Sequence, residues 1–220
     1  MAVDFYGIDY SPPCRAVLLL MAAINLTPNM KEIDLMAGDH TKPDFTQLSP
    51  QHTIPTIVDN GFTLTESRAI MKYLVEKYGK DSGLIPENIE ERAVMNQMLD
   101  FDLGTVMQRF AELYMYPIKF KVPPMAQAAA NLDTAMLTLD LFLEGQDWVA
   151  GNKMTVADFS YAATIATLTI FYLQAAGYDI TPYKNIQNWY NKAKSTMKGW
   201  DTNEGGAAKI GGILKAMKTR

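Results

Sequence analysis

The pattern of this chain changes near residue 80, and that change limits its fold more than any other feature. Before it, short apolar runs of strand length alternate with segments of helix length. From Ile89 onward, every apolar repeat has helical spacing. Between the halves lies "GKDSGLIPEN", residues 79–88, rich in Gly, Pro and polar groups as interdomain linkers are. With 220 residues, 48% of them hydrophobic, the chain can bury two modest cores. The expected division is a domain over 1–80, a linker over 81–88 and an all-helical domain over 89–220.

Within the first half, "VDFYGI" reads as a strand, "PCRAVLLLMAAIN" as a largely buried helix and "MKEIDL" (Met30–Leu35) as a second, alternating strand. That spacing predicts a parallel pair joined by a right-handed crossover. "PTIVD" and "FTLT" are separated by Asn60-Gly61, a hairpin signal. Thr65 is the expected N-cap of the helix "ESRAIMKYLVEKYG", ending at Gly79. The order βαβ then ββα is that of a thioredoxin-like domain. The second half predicts a long helix over 89–118 and another from about Pro123 to Leu143. A third opens at the capping box "TVAD", where Thr155 caps and Asp158 reaches back to the cap N–H. Two more are expected, near 182–198 and in the Gly-rich tail. The fold class is therefore α/β followed by all-α.

Charge excludes some partners. The net charge is −4, and residues 1–80 carry 7 Lys/Arg against 9 Asp/Glu, leaving 13 against 15 for the rest. No basic face is indicated, so neither nucleic acid nor an acidic membrane surface is an expected partner. The single cysteine rules out an intrachain disulfide framework and a cysteine-based zinc cluster, and fits a reducing, cytoplasmic compartment. Asp4 interrupts the opening apolar run, and no basic leader precedes it, so no signal peptide is expected. Phe159 to Tyr178 carries no charge, but its Ser, Thr and Gln residues and the Asp158 before it predict a helix buried in a bundle, without membrane insertion.

Four short segments carry candidate chemistry. In "YSPPCR", Ser11 stands where a strand passes into a helix. Its hydroxyl either caps that helix or donates to a thiolate from a small molecule, an anion that helix N-termini favour. Cys14, inside the first turn, has no partner sulfur and reads as buried and inert. In "HTIPT", Pro55 is either an edge-strand proline or a cis proline that leaves the backbone of Ile54 free to pair with an extended peptide. In "TESRA", Glu66 and Ser67 either suit the helix dipole or clamp an α-amino acid head group. His40 and His52 are the only histidines, so a metal site is not expected. They are exposed loop residues or hold a carboxylate. Together, these groups match the parts of a small tripeptide thiol.

"SPPCR", "AGDHTKPDF", "PQHTIPT", "DNGFTLTESRAIMKYLVEKYG" and "MTVADFS" together resemble the cytosolic glutathione transferases, most of all the insect delta and epsilon classes, over essentially the whole chain. The resemblance implies a homodimeric transferase that conjugates glutathione, a co-substrate rather than a cofactor, to small hydrophobic electrophiles in detoxification. Ser11 would hydrogen-bond the glutathione sulfur. His40 and His52 would hold its glycine end, Ile54 beside cis-Pro55 its cysteinyl part, and Glu66, Ser67 and Arg68 its γ-glutamyl group. Asp102 would steady Arg68, and Thr155 with Asp158 would serve folding. The electrophile would sit against Ile8, Pro13, Leu35, Met107, Phe110, Tyr114 and Tyr116.

Tyr10 stands where delta members often carry a small glycine, and Asp100 where they commonly carry an aromatic of the dimer clasp; the class stays open between delta and epsilon. Two other readings remain: a thiol–disulfide enzyme using Cys14, and a non-catalytic carrier of hydrophobic ligands.

Overall fold

The computed structural model describes residues 3–175 and 179–218. Four strands, β1 (Asp4–Gly7), β2 (Asn29–Glu32), β3 (Thr56–Asp59) and β4 (Phe62–Leu64), form one sheet in the order β2-β1-β3-β4. β1 runs parallel to β2 and antiparallel to β3, which pairs antiparallel with β4. Asn60 and Gly61 turn the last hairpin with φ of 51° and 84°, the paired positive values that a two-residue turn needs to match strand twist. β2 stops at Glu32, and all four of its residues are exposed. The alternation in "MKEIDL" therefore marks an edge strand and not a half-buried one.

α1 (Pro12–Ala23) is the pivot of the molecule. Its residues Cys14 to Val17 and Leu19 to Met21 are buried, which its apolar periphery required. α2 (Pro43–Thr46) is a single turn, and α3 (Ser67–Tyr78) packs against α1. A Cβ at Gly7 would lie 2.8 Å from Cys14 Sγ, so the sulfur is wedged against the strand backbone.

The helical half starts with α4 (Ile89–Phe101), capped by Asn88, whose side chain accepts from the N–H groups of Glu90 and Glu91 at 2.8 and 3.0 Å. The rod then continues past the expected end at 118. It passes through a π-helical stretch (Asp102–Met107), α5 (Gln108–Phe110), a second π stretch (Ala111–Met115) and α6 (Tyr116–Phe120). Lys121, with φ of 53°, ends it. The next helix, α7, spans Ala128–Phe142 and not 123–143, and Pro123 and Pro124 lie in the connecting segment.

α8 (Val156–Ala175) runs through the centre of this half, followed by α9 (Lys184–Thr196) and α10 (Trp200–Lys218). At its start the Asp158 carboxylate accepts from Thr155 N–H (2.8 Å), Val149 N–H (2.9 Å) and Trp189 Nε1–H (2.9 Å), while Thr155 Oγ1 accepts from Ala157 N–H at 3.3 Å. Full burial nevertheless pushes the Asp158 carboxyl up to about 6. Every α8 side chain from Val156 to Leu168 is buried. The last residues of the uncharged segment, 176–178, lie outside the described residues. Among the described residues no helix is long and apolar enough to cross a membrane.

Candidate active site

Ser11 occupies the N-cap position of α1 with extended backbone (φ −74°, ψ 123°). Pro12 and Pro13 follow, so the first two helical positions have no N–H to offer, and the hydroxyl makes no side-chain cap. The capping alternative fails here, and the hydroxyl is left for another partner. That side chain is only 8% exposed, and it faces the Cys14 thiol. Burial pushes that thiol up to about 11, against smaller pulls downward from the Ser11 hydroxyl and the Ile8 backbone.

Across the cleft, the Ile54–Pro55 peptide is cis. The loop before it is held from inside. Buried Ser49 donates to the Thr53 carbonyl at 3.1 Å and accepts its N–H at 3.2 Å, and Thr56 Oγ1 also donates to that carbonyl at 3.1 Å. Ile54 itself makes no backbone hydrogen bond among the described residues. Thr65 is not the cap of α3. Glu66 is, at φ 67°, ψ 105°, and no side chain caps there. A non-glycine residue in that region costs about 1–3 kcal/mol and is found where a site demands it. Here it exposes the Glu66 carboxylate beside buried Ser67 at the head of the helix.

Arg68 donates to Asp102, which is fully buried and also accepts from Ser160 Oγ at 2.6 Å. That carboxylate joins α3, the first π stretch and α8, and so ties the sheet domain to the helical one. Arg68 Nε remains a buried donor without a partner among the described residues.

These segments line one cleft of about 230 Å³. The sheet side supplies Thr53, Ile54, Pro55, Glu66, Ser67 and Arg68. Pro12, Pro13 and Ala16 come from α1, Leu103 and Met107 from the π stretch, and Ser160 and Thr164 from α8. Ser11 is recessed behind the two prolines. His52 is exposed with φ of 58°, and His40 is half-buried in a 3-10 turn; neither lines the cleft. Among the described residues no group of three His, Cys, Asp or Glu side chains is placed to hold a metal.

The expected apolar set is only partly here. Pro13 and Met107 line the cleft. Phe110 is 1% exposed and belongs to the bundle core, packed on Tyr114 with centroids 5.5 Å apart. Tyr114 is half-buried, its phenol pushed up to about 12 by burial and by Asp133. Tyr116 is exposed and packs on Phe120 at 6.1 Å, and Leu35 is half-buried outside the cleft. Buried Ile8 lines a different groove, about 590 Å³, between the β1–α1 loop and α10. Leu103, Ser160 and Thr164 were not singled out. Only the exposed apolar Leu103 on an otherwise capped rod could have given a signal.

Two family models cover most of the chain: "Glutathione S-transferase, N-terminal domain" over residues 5–88 and "Glutathione S-transferase, C-terminal domain" over residues 95–195. Among solved structures, a delta-class glutathione transferase of Nilaparvata lugens is 42% identical, with a TM-score of 0.92 over 98% of this chain and 99% of that one. An epsilon-class glutathione S-transferase of the housefly, Musca domestica, is 31% identical, with a TM-score of 0.88 over 98% of each chain. A glutathione transferase homolog of Drosophila mojavensis, solved with bound glutathione, is 30% identical with a TM-score of 0.86, over 98% of this chain and 97% of that one. With its thioredoxin-like sheet domain, its helical bundle and the cleft between them, this chain belongs to the glutathione transferases.

Proposed function

We propose that the chain conjugates glutathione to apolar electrophiles, with the Ser11 hydroxyl donating a hydrogen bond to the glutathione sulfur. The observation that carries this reading is the polar wall of the cleft. There, an exposed carboxylate (Glu66), a helix-head serine (Ser67) and the ion-paired Arg68 stand beside the free backbone of Ile54. Glu66 suits the ammonium of a γ-glutamyl group and Ser67 its carboxylate, while Ile54 suits the peptide backbone. His40 and His52 lie outside the cleft walls, so their proposed hold on the glycine end is the outermost contact.

In the reaction the thiol proton leaves to water, and the thiolate, stabilised by Ser11, forms a new S–C bond as the electrophile's leaving group departs. Each pKa unit by which Ser11 favours the thiolate amounts to about 1.4 kcal/mol. Glutathione is a co-substrate, and no resident cofactor takes part. The electrophile lies against Pro13, Leu103 and Met107. The setting proposed is detoxification in the cytoplasm, which the lone buried cysteine supports, and the assembly proposed is a homodimer. Exposed Phe62 on β4 and Val94 on α4 are candidates for its contact.

The test compares wild type with Ser11→Ala in conjugating glutathione to a chromogenic aryl halide, with glutathione binding followed separately. Retained binding, turnover about tenfold slower for each pKa unit lost and a pH–rate profile moved upward are expected. If both proteins bind glutathione and neither conjugates any of several electrophile types, the chain is a carrier.

A further inference from the structure

α10 is held to the molecule by one face, and that face grips the segment around Ser11 from both sides. Asn203, Gly206 and Lys209 recur at intervals of three and so lie along one side of the helix. Buried Arg15, four residues after Ser11, donates to the Asn203 carbonyl at 2.9 Å and to its side-chain oxygen at 2.6 Å. Its other nitrogen donates to Ala163 O at 3.3 Å and to Thr167. Every hydrogen-bond acceptor of this guanidinium is neutral, and burial lowers it to about 10.

On the other side, Lys209 forms an ion pair with Asp9, two residues before Ser11. Between these contacts the α10 backbone lies directly on the loop. A Cβ added at Gly206 would overlap the Asp9 carbonyl oxygen and stand 2.6 Å from Arg15 Cδ. Glycine is needed there for space, since its backbone is helical.

We propose that the Asn203–Gly206–Lys209 face of α10 is a positioning element for Ser11. The serine has no cap bond to hold its hydroxyl, because Pro12 and Pro13 remove the usual partners. Its orientation is therefore set by the segment that carries it, and that segment is pinned at Asp9 and Arg15 by the C-terminal helix. These residues touch neither sulfur nor electrophile; they act through Ser11. The inference rests on Ser11 as thiolate donor.

Charge near the loop has to be separated from position. Asp9, Tyr10, Cys14 and Arg15 lie on the segment itself. Glu32 comes from β2, Asp34 from the turn after it, Tyr190 from α9 and Lys209 from α10. Gly206→Ala alters none of them, so a change in thiolate ionisation in that variant is positional.

The experiment reads the pH midpoint of bound glutathione by thiolate absorbance, together with glutathione affinity and kcat, in wild type, Ser11→Ala, Gly206→Ala, Lys209→Met and Asp9→Asn/Lys209→Met. Gly206→Ala is expected to raise the midpoint by about one unit and lower kcat about tenfold at neutral pH, with affinity within about twofold. Lys209→Met is expected to give a smaller shift in the same direction, about twofold in ionisation, because that ion pair is half in solvent. The double variant should keep that shift, since removing both charges does not restore the tie; its return to the wild-type midpoint would mean charge alone acts and would overturn the proposal. Should Gly206→Ala fail to fold, the Lys209 pair decides alone. A midpoint raised by Ser11→Ala but unmoved by the α10 variants overturns the positioning role and leaves Ser11 standing. A midpoint unmoved by Ser11→Ala removes both.

Discussion

The sheet-side wall of the cleft comes from two short segments, 53–55 and 66–68, each fixed by local backbone geometry: a cis peptide and a residue at φ 67°. The facing wall takes single side chains from three helices, and nothing local marks which ones turn inward. Recognition groups can be written into a few consecutive residues because the backbone itself aims them. An apolar surface depends on helix phase accumulated over many turns, and on neighbours far away in sequence. The first wall therefore asks for one defined ligand, whereas the second can change residue by residue without disturbing it.

The largest test of that contrast lies within the helical rod. Phe110 and Tyr114 share one face four residues apart, and Leu103 and Met107 share another, with only the second pair in the cleft. Phe110→Ala is expected to cost about 4 kcal/mol in denaturant unfolding, as deletion of a buried ring does, with the KM for an apolar electrophile unchanged in the folded enzyme. Leu103→Ala, at a side chain 50% exposed, should leave stability alone and raise that KM about tenfold. The reverse pattern would put Phe110 in the substrate wall and Leu103 outside it.

Next in size is the tie between the walls. Asp102→Ala leaves Arg68 mostly buried with no carboxylate, which costs about 3 kcal/mol. Because Arg68 then loses its anchor beside Ser67, the KM for glutathione should rise as well, with that for the electrophile much less affected. A variant with unchanged stability and unchanged glutathione KM would show that the two walls are held independently of this pair.

The same contrast explains how much was legible beforehand. Asn60-Gly61, the Thr155–Asp158 box and the cis Pro55 obey short-range rules, and each stands where the sequence placed it. The Arg68–Asp102 pair was expected only through family resemblance, since no rule of spacing links residues so far apart. The apolar set failed for a definable reason. A π stretch inserts extra residue per turn, so helical spacing counted across Asp102–Met107 slips in phase. Phe110 and Met107 then face different ways although they lie three residues apart. The contacts of α10 could not be read at all: Gly206 looked like one glycine of a flexible tail, and only its overlap with the Asp9 carbonyl gives it a reason.

The smallest effect is expected at Cys14, where a thiol–disulfide mechanism would have required the largest. The sulfur is fully buried, sits against the β1 backbone at Gly7, and titrates near 11. At pH 8 only on the order of one molecule in a thousand carries the thiolate, so the folded protein should resist iodoacetamide and label fully only in denaturant. Cys14→Ala should keep kcat within about twofold and lose about 1 kcal/mol of stability, the cost of a small packing defect. Fast labelling of the native protein, or activity lost with Cys14 and kept without Ser11, would reverse the two residues' roles. Serine at the helix head and cysteine one turn inside then divide the work by exposure to the cleft: the sulfur that reacts arrives with the substrate, and the protein's own is kept out of reach.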